Sequence, residues 1–148
     1  MEMHEIIAIF AQSKRYFKMI PTKAGYPVRH FDGPTKRYCQ TLDLRNDAQL
    51  IAAYECLHTA EGVWPETLKA IREAGVLEME IYRLGTRLFM IVELPADADW
   101  DDVMRRMGQM PRQAEWEALT ARFQQADPQA GSAEKWQLMT RIFHRYDA

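Results

Sequence analysis

Two strand-like runs, Val76 to Leu84, which alternates over Glu78 to Ile81, and Arg87 to Leu94, which is apolar from Leu88 to Val92, are separated only by Gly85-Thr86. A two-residue connection that begins with glycine favours an antiparallel hairpin, and a hairpin in mid-chain constrains what can surround it. Upstream, Lys36 to Leu44 also alternates, with Tyr38, Gln40, Leu42 and Leu44 on one face and Cys39, Thr41 and Asp43 on the other, which predicts a further strand. Between them Asn46 or Asp47 caps a helix whose apolar positions Leu50, Ile51, Tyr54 and Leu57 follow the helical period. A second helix restarts at Pro65, buries Leu68 and Ile71, and ends at Gly75. Beyond the hairpin, Asp99 to Met107, capped by Asp97 or Asp99, and Pro111 to Gln124 read as helices. Ala126 to Ala133 reads as a loop and Trp136 to Tyr146 as a last strand.

The order is strand, helix, strand, strand, helix pair, strand, which predicts an α+β ferredoxin-like unit, β-α-β-β-α-β. Its antiparallel sheet carries helices on one face only, so the other face needs a cover. Apolar residues fall on both faces of the hairpin strands, and a homodimer packed sheet on sheet supplies that cover. Glu78, Glu80 and Tyr82 share a face opposite Met79 and Ile81. Two neighbouring acids on one face repel when dry, so they are expected to be solvated, at the subunit interface, or paired with Arg37, Arg87 or Arg141.

Tyr54 and His58 lie four residues apart on the first helix and so project from one face as neighbours. A phenol beside an imidazole offers a hydrogen-bonding group for a hydroxyl-rich ligand and a group that titrates near neutral pH. Pro65 forces a break soon afterwards, which leaves the pair facing open space. The same pair also suits the edge of a core, and spacing alone does not separate the two readings.

Residues 1–35 stand apart as an N-terminal extension or arm, with the domain proper at 36–148. The apolar run Ile6 to Phe10 precedes Lys14, Arg15 and Lys18, and then Pro21, Gly25, Pro27, Gly33 and Pro34 punctuate a loop. Two readings fit: an ordered arm packed on the domain or on a partner, and a mobile extension created by an upstream start codon. The chain has 148 residues, enough for one domain with a sizeable core, and a net charge of −2 that argues against nucleic acid. Cys39 and Cys56 are too few for a metal knuckle or a disulfide framework and are expected to be reduced in a cytoplasmic protein. No apolar run approaches a membrane span, and the acidic start Met1-Glu2-Met3-His4-Glu5 is unlike a signal peptide. Neither a membrane nor a nucleic-acid partner is therefore expected.

The succession Tyr54-x3-His58, Trp64-Pro65-Glu66, Ala74-Gly75, Ile81-Tyr82 and Leu88-Phe89-x3-Glu93 resembles the L-rhamnose mutarotase family of sugar epimerases, from about Arg37 to Tyr146. The resemblance implies a dimeric ferredoxin-like fold and interconversion of the α and β anomers of a 6-deoxy-L-hexose, with no cofactor and no metal. It implies His58 as the proton donor, Tyr54 as a sugar contact and Trp116 as part of the sugar pocket. Two positions depart from the rhamnose type. Met79 stands where a sugar-contacting tyrosine is usual, and Glu115-Trp116 replaces a tandem tryptophan. The strand Glu78-Met79-Glu80-Ile81-Tyr82 looks like the L-fucose-acting branch, so L-fucose is favoured over L-rhamnose, with Met79 a substrate contact. Glu115 is expected to bind a sugar hydroxyl or to act as the second acid/base. Trp64 and Trp136 are expected in the core and Trp100 half exposed, while His144 reads as surface or interface. Alternatives are a cofactor-independent monooxygenase of the same fold and a non-catalytic sugar-binding domain.

Overall fold

The computed structural model describes residues 2–5, 23–127 and 129–147. The apolar run at 6–10 and the basic residues 14, 15 and 18 lie outside the described residues. Strand β1 is Thr35–Asp43, helix α1 Ala48–Leu57, α2 Pro65–Glu73, β2 Glu78–Leu84, β3 Arg87–Pro95, α3 Trp100–Gly108, α4 Gln113–Ala121, the one-turn helix α5 Ser132–Lys135, and β4 Gln137–Leu138. The sheet is antiparallel in the order β2-β3-β1-β4, with each crossover helix broken in two. This is the expected ferredoxin-like arrangement.

Local chemistry sets most boundaries. Asp47 caps α1, its carboxylate accepting from the amides of Gln49 and Leu50 at 2.9 and 3.0 Å, a contribution of about 1 kcal/mol. Asp99 caps α3 through the amide of Asp102. Pro65 occupies the first turn of α2, and Gly75 closes that helix at φ +95. Gly85 takes φ +60 at the first central position of the hairpin turn, where a side chain would be strained.

Register then sorts the residues. Met79 pairs with Val92, Ile81 with Met90 and Arg83 with Leu88 across β2 and β3, while Gln40 faces Met90 and Leu42 faces Leu88 across β1 and β3. These residues form the helix-facing side of the sheet. Leu42, Leu88, Met90, Val92 and Leu94 are buried there with Ala53 and Leu57 of α1, Ala70 of α2, Val103 of α3 and Leu119 of α4. The opposite side presents Cys39, Phe89, Ile91 and Glu80, all half-buried in the single chain, and Tyr82, which is exposed. Tyr26, from the segment leading into β1, meets Tyr82 edge-on at 5.7 Å.

Four expectations need correction. Leu68 is 52% exposed, because α2 turns Thr67 and Ala70 inward and leaves Leu68 on a cavity wall. The helix expected from Pro111 begins at Gln113, since Arg112 adopts a left-handed conformation at φ 65. The last strand is only Gln137–Leu138, opposite Thr41 and Gln40, plus a bond from the Met139 amide to the Cys39 carbonyl. Residues 140–146 form no strand without a neighbour to pair with, and Ile142 and Phe143 stand in solvent. Among the described residues the three arginines also choose other partners: Arg37 pairs with Glu93, Arg87 with Asp43 and Arg141 with Asp147. Glu80 instead accepts from the Tyr82 hydroxyl at 2.6 Å. His144 lies on the surface against Asp147.

Candidate active site

Between the helix-facing side of the sheet and the helices lies a cavity of about 630 Å³. Its floor comes from β1, β2 and β3, where Gln40, Met79, Ile81, Arg83, Met90 and Val92 project inward; α1, α2, α3 and α4 supply the walls. The residues that pinch α1 and α2 apart open this space. Helix α1 ends at His58, where Thr59 bonds the Cys56 carbonyl through both its amide and its hydroxyl, and Pro65 starts α2 anew.

Tyr54 and His58 stack at 4.3 Å between ring centroids. Nδ1–H of His58 donates to the Tyr54 carbonyl at 2.7 Å. That bond selects the tautomer and leaves Nε2 with the lone pair. Burial pushes the imidazole below its ordinary pKa, only partly opposed by the bond to Tyr54, so neutral His58 is the resting form at neutral pH. Burial pushes the Tyr54 phenol up to about 12, although its hydrogen bond to Gln124 works the other way. The phenol therefore stays protonated and acts as a hydrogen-bonding group. Trp116 is buried and meets His58 edge-on at 5.5 Å, closing one side.

The structure thus brings together Tyr54, His58, Met79 and Trp116. It does not bring Glu115 to them. That side chain is 64% exposed and pairs with Arg112 at 3.4 Å in a separate shallow groove with Trp64 and Arg122. One residue along a helix rotates the side chain by about 100°, so Trp116 inside sends Glu115 outside. Trp136, expected as plain core, is buried but lines the cavity, whereas Trp64 is half-buried beside it.

Several cavity residues escaped the sequence reading. Glu55 and Arg83 form an ion pair from α1 to β2, with side chains 17% and 27% exposed, and the Arg83 guanidinium also donates from Nη1 to the Gly85 carbonyl. Gln113, Thr120 and Glu117 line the cavity from α4, and Gln40 and Gln124 are buried beside them. Two signals were available: Arg83 continues the Met79, Ile81 face, and Gln113 and Thr120 sit at helical spacing from Trp116. Among the described residues no group of His, Cys, Asp and Glu is placed to hold a metal, and no helix is long and apolar enough to cross a membrane.

Comparison with known proteins places the geometry. The family model for L-rhamnose mutarotase matches residues 37–145. The chain is 44% identical over 108 residues to an L-fucose mutarotase of Xanthomonas campestris pv. campestris, covering 73% of this chain and 86% of that protein. A crystal structure of an L-rhamnose mutarotase from Formosa agariphila superposes with a TM-score of 0.52 at 20% identity, over 74% of this chain and 97% of that one, and so shares the fold. The chain belongs to the L-rhamnose mutarotase family and is a carbohydrate isomerase, a sugar mutarotase of the L-fucose/L-rhamnose type.

Proposed function

We propose that the cavity accelerates exchange between the α and β anomers of L-fucose in preference to L-rhamnose, with His58 as the proton carrier. The observation that carries this reading is the state of His58: neutral, with Nδ1–H committed to the Tyr54 carbonyl and Nε2 basic at a cavity wall. Nε2 takes the proton from the anomeric hydroxyl as the bond from C1 to the ring oxygen breaks and the aldehyde forms. Both oxygens are attached to C1, so the same nitrogen then delivers that proton to the ring oxygen. Rotation about the C1–C2 bond and the reverse sequence close the ring on the other face. A positioned acid/base group of this kind contributes about 10²–10⁴-fold. One imidazole serves both oxygens, and Glu115 has no part in the chemistry.

Tyr54 supports the sugar through its phenol, and Trp116 offers an apolar face to the C–H patches and the methyl group of a 6-deoxy sugar. The Glu55–Arg83 pair supplies acceptors and donors for ring hydroxyls without adding net charge, which suits a neutral ligand. Met79 puts a thioether where the rhamnose type has a phenol, and the 44% identity to an L-fucose mutarotase supports the same preference. The test follows both sugars in one tube by saturation-transfer proton NMR. L-Fucose is expected to exchange faster. Met79→Tyr should move the ratio toward L-rhamnose by about 1–3 kcal/mol in relative transition-state binding, and Glu115→Trp should leave it unchanged. A wild-type protein that prefers L-rhamnose contradicts the specificity.

The same reading includes a two-fold symmetric dimer. The half-buried Phe89 and Ile91 on the outer side of the sheet are the apolar surface that a second copy would cover, and the exposed Ile142 and Phe143 that follow β4 are further apolar surface available to it.

A further inference from the structure

Arg112 is the non-glycine residue with positive φ among those described, at φ 65 and ψ 3. It stands at the N-terminus of α4, its carbonyl accepting from the Trp116 amide at 3.0 Å, and it provides no side-chain cap. A side-chain-bearing residue holds this conformation only where its surroundings enforce it. Here the backbone turn is bonded on both sides of Arg112 and the side chain is held as well. The guanidinium lies 4.2 Å over the Trp64 ring and pairs with Glu66 at 3.5 Å and Glu115 at 3.4 Å. Trp64 precedes α2, so these contacts tie the start of α4 to the start of α2. Behind the arginine the rings continue inward: Trp64 meets Trp116 edge-on at 5.3 Å, and Trp116 meets His58 edge-on at 5.5 Å.

We propose that Arg112 is a positioning residue for the sugar cavity: its guanidinium presses Trp64 against Trp116 and so fixes the aromatic wall beside His58. Glu115, outside the cavity, is the acid that aims that guanidinium. The role rests on the mutarotase reading of the cavity, and its test separates the two. Because the wall contacts the sugar equally in ground and transition states, losing the clamp weakens binding and leaves the proton transfer itself alone.

The variants are Arg112→Gly, which relaxes the backbone at φ 65 and removes the clamp, and Arg112→Lys, which keeps the charge but loses the planar stack. The measurements are near-ultraviolet circular dichroism, which reports the Trp64–Trp116 pair, and kcat and KM for L-fucose exchange. Arg112→Gly should keep its far-ultraviolet spectrum, lose much of the near-ultraviolet tryptophan signal, and raise KM about five- to tenfold with kcat within about twofold. Arg112→Lys should fall between it and wild type on both measures. Should the glycine variant fail to fold, the lysine variant decides. An unchanged near-ultraviolet spectrum with KM within twofold of wild type in the folded variant overturns the proposal. So does a fall in kcat at unchanged KM, which would put the guanidinium in the proton transfer. A wild type that exchanges no sugar sinks the mutarotase reading instead, and the spectrum together with a fluorescence titration of L-fucose still decides the wall.

Discussion

Gly62 sits where a side chain cannot go. A Cβ at that position would lie 2.1 Å from the Cys56 carbonyl oxygen, 3.0 Å from its carbon and 3.1 Å from the Leu57 Cα. These are backbone atoms, so no rotamer change relieves the clash, and the gap must open by roughly an ångström. The constraint is the close approach rather than backbone freedom, since Gly62 has no positive φ. The Cys56 carbonyl it would displace accepts from the Thr59 amide at 3.2 Å and the Thr59 hydroxyl at 2.8 Å, and Gly62 itself donates to that hydroxyl at 3.0 Å. His58 lies inside this knot, between the displaced carbonyl and Thr59. Gly62→Ala should therefore cost about 1–3 kcal/mol in stability through overpacking. An ångström of misplacement at the base is also worth about 10²-fold in rate, so anomer exchange should fall by roughly 10- to 100-fold. The assay pairs thermal unfolding with saturation-transfer exchange. Gly108→Ala is the control, because a Cβ there meets nothing within 4 Å and no positive φ is involved; it should be neutral or slightly stabilising. A Gly62→Ala protein with wild-type melting and wild-type exchange would refute the link between this turn and His58.

Four further expectations follow from the same geometry. Because burial lowers the folded pKa of His58 below its ordinary 6.5, the unfolded chain binds a proton more readily, and stability falls as pH drops below about 6.5; the melting temperature should decrease from pH 7.5 to pH 5.5, and His58→Gln should shrink that difference. Exchange should likewise hold steady above pH 6.5 and decline only at more acidic pH, as Nε2 becomes protonated; a rate that rises on acidification would contradict a neutral base. Arg83→Met should raise KM about tenfold with a smaller effect on kcat, since it removes hydroxyl-binding donors used in both ground and transition states. Light scattering at micromolar concentration should give a dimer, and Phe89→Glu with Ile91→Lys should give a monomer; an active wild-type monomer would count against the interface.

What could be read from the sequence was local. The hairpin at Gly85-Thr86, the cap at Asp47 and the restart at Pro65 each rest on a residue whose conformational preference acts over a few positions, and each is where it was expected. Most of the misreadings are questions of who faces whom. Trp116 and Glu115 are neighbours in the chain, and only the packing of α4 decides which turns inward. Leu68 follows the helical period but meets a cavity instead of a core. Residues 140–146 were expected to extend the last strand yet lack a partner in a single chain. Arg112 carries no marker at all of its left-handed backbone, since arginine is an ordinary helix former and its contacts with Trp64, Glu66 and Glu115 come from the fold. The buried Gln40 and Gln124 read from the sequence as a strand-face and a helix-end residue, and only the fold shows that Gln124 bonds Tyr54 and that both line the cavity.

The most direct measurement is saturation transfer between the anomeric protons of L-fucose with catalytic amounts of wild-type protein and of His58→Gln, at pH 7.5 and at one protein concentration. Wild type is expected to accelerate exchange well above buffer, and His58→Gln, folded by circular dichroism, should lose about 10²–10⁴-fold of that acceleration. A folded His58→Gln protein that exchanges L-fucose within about threefold of wild type would remove the imidazole from the mechanism.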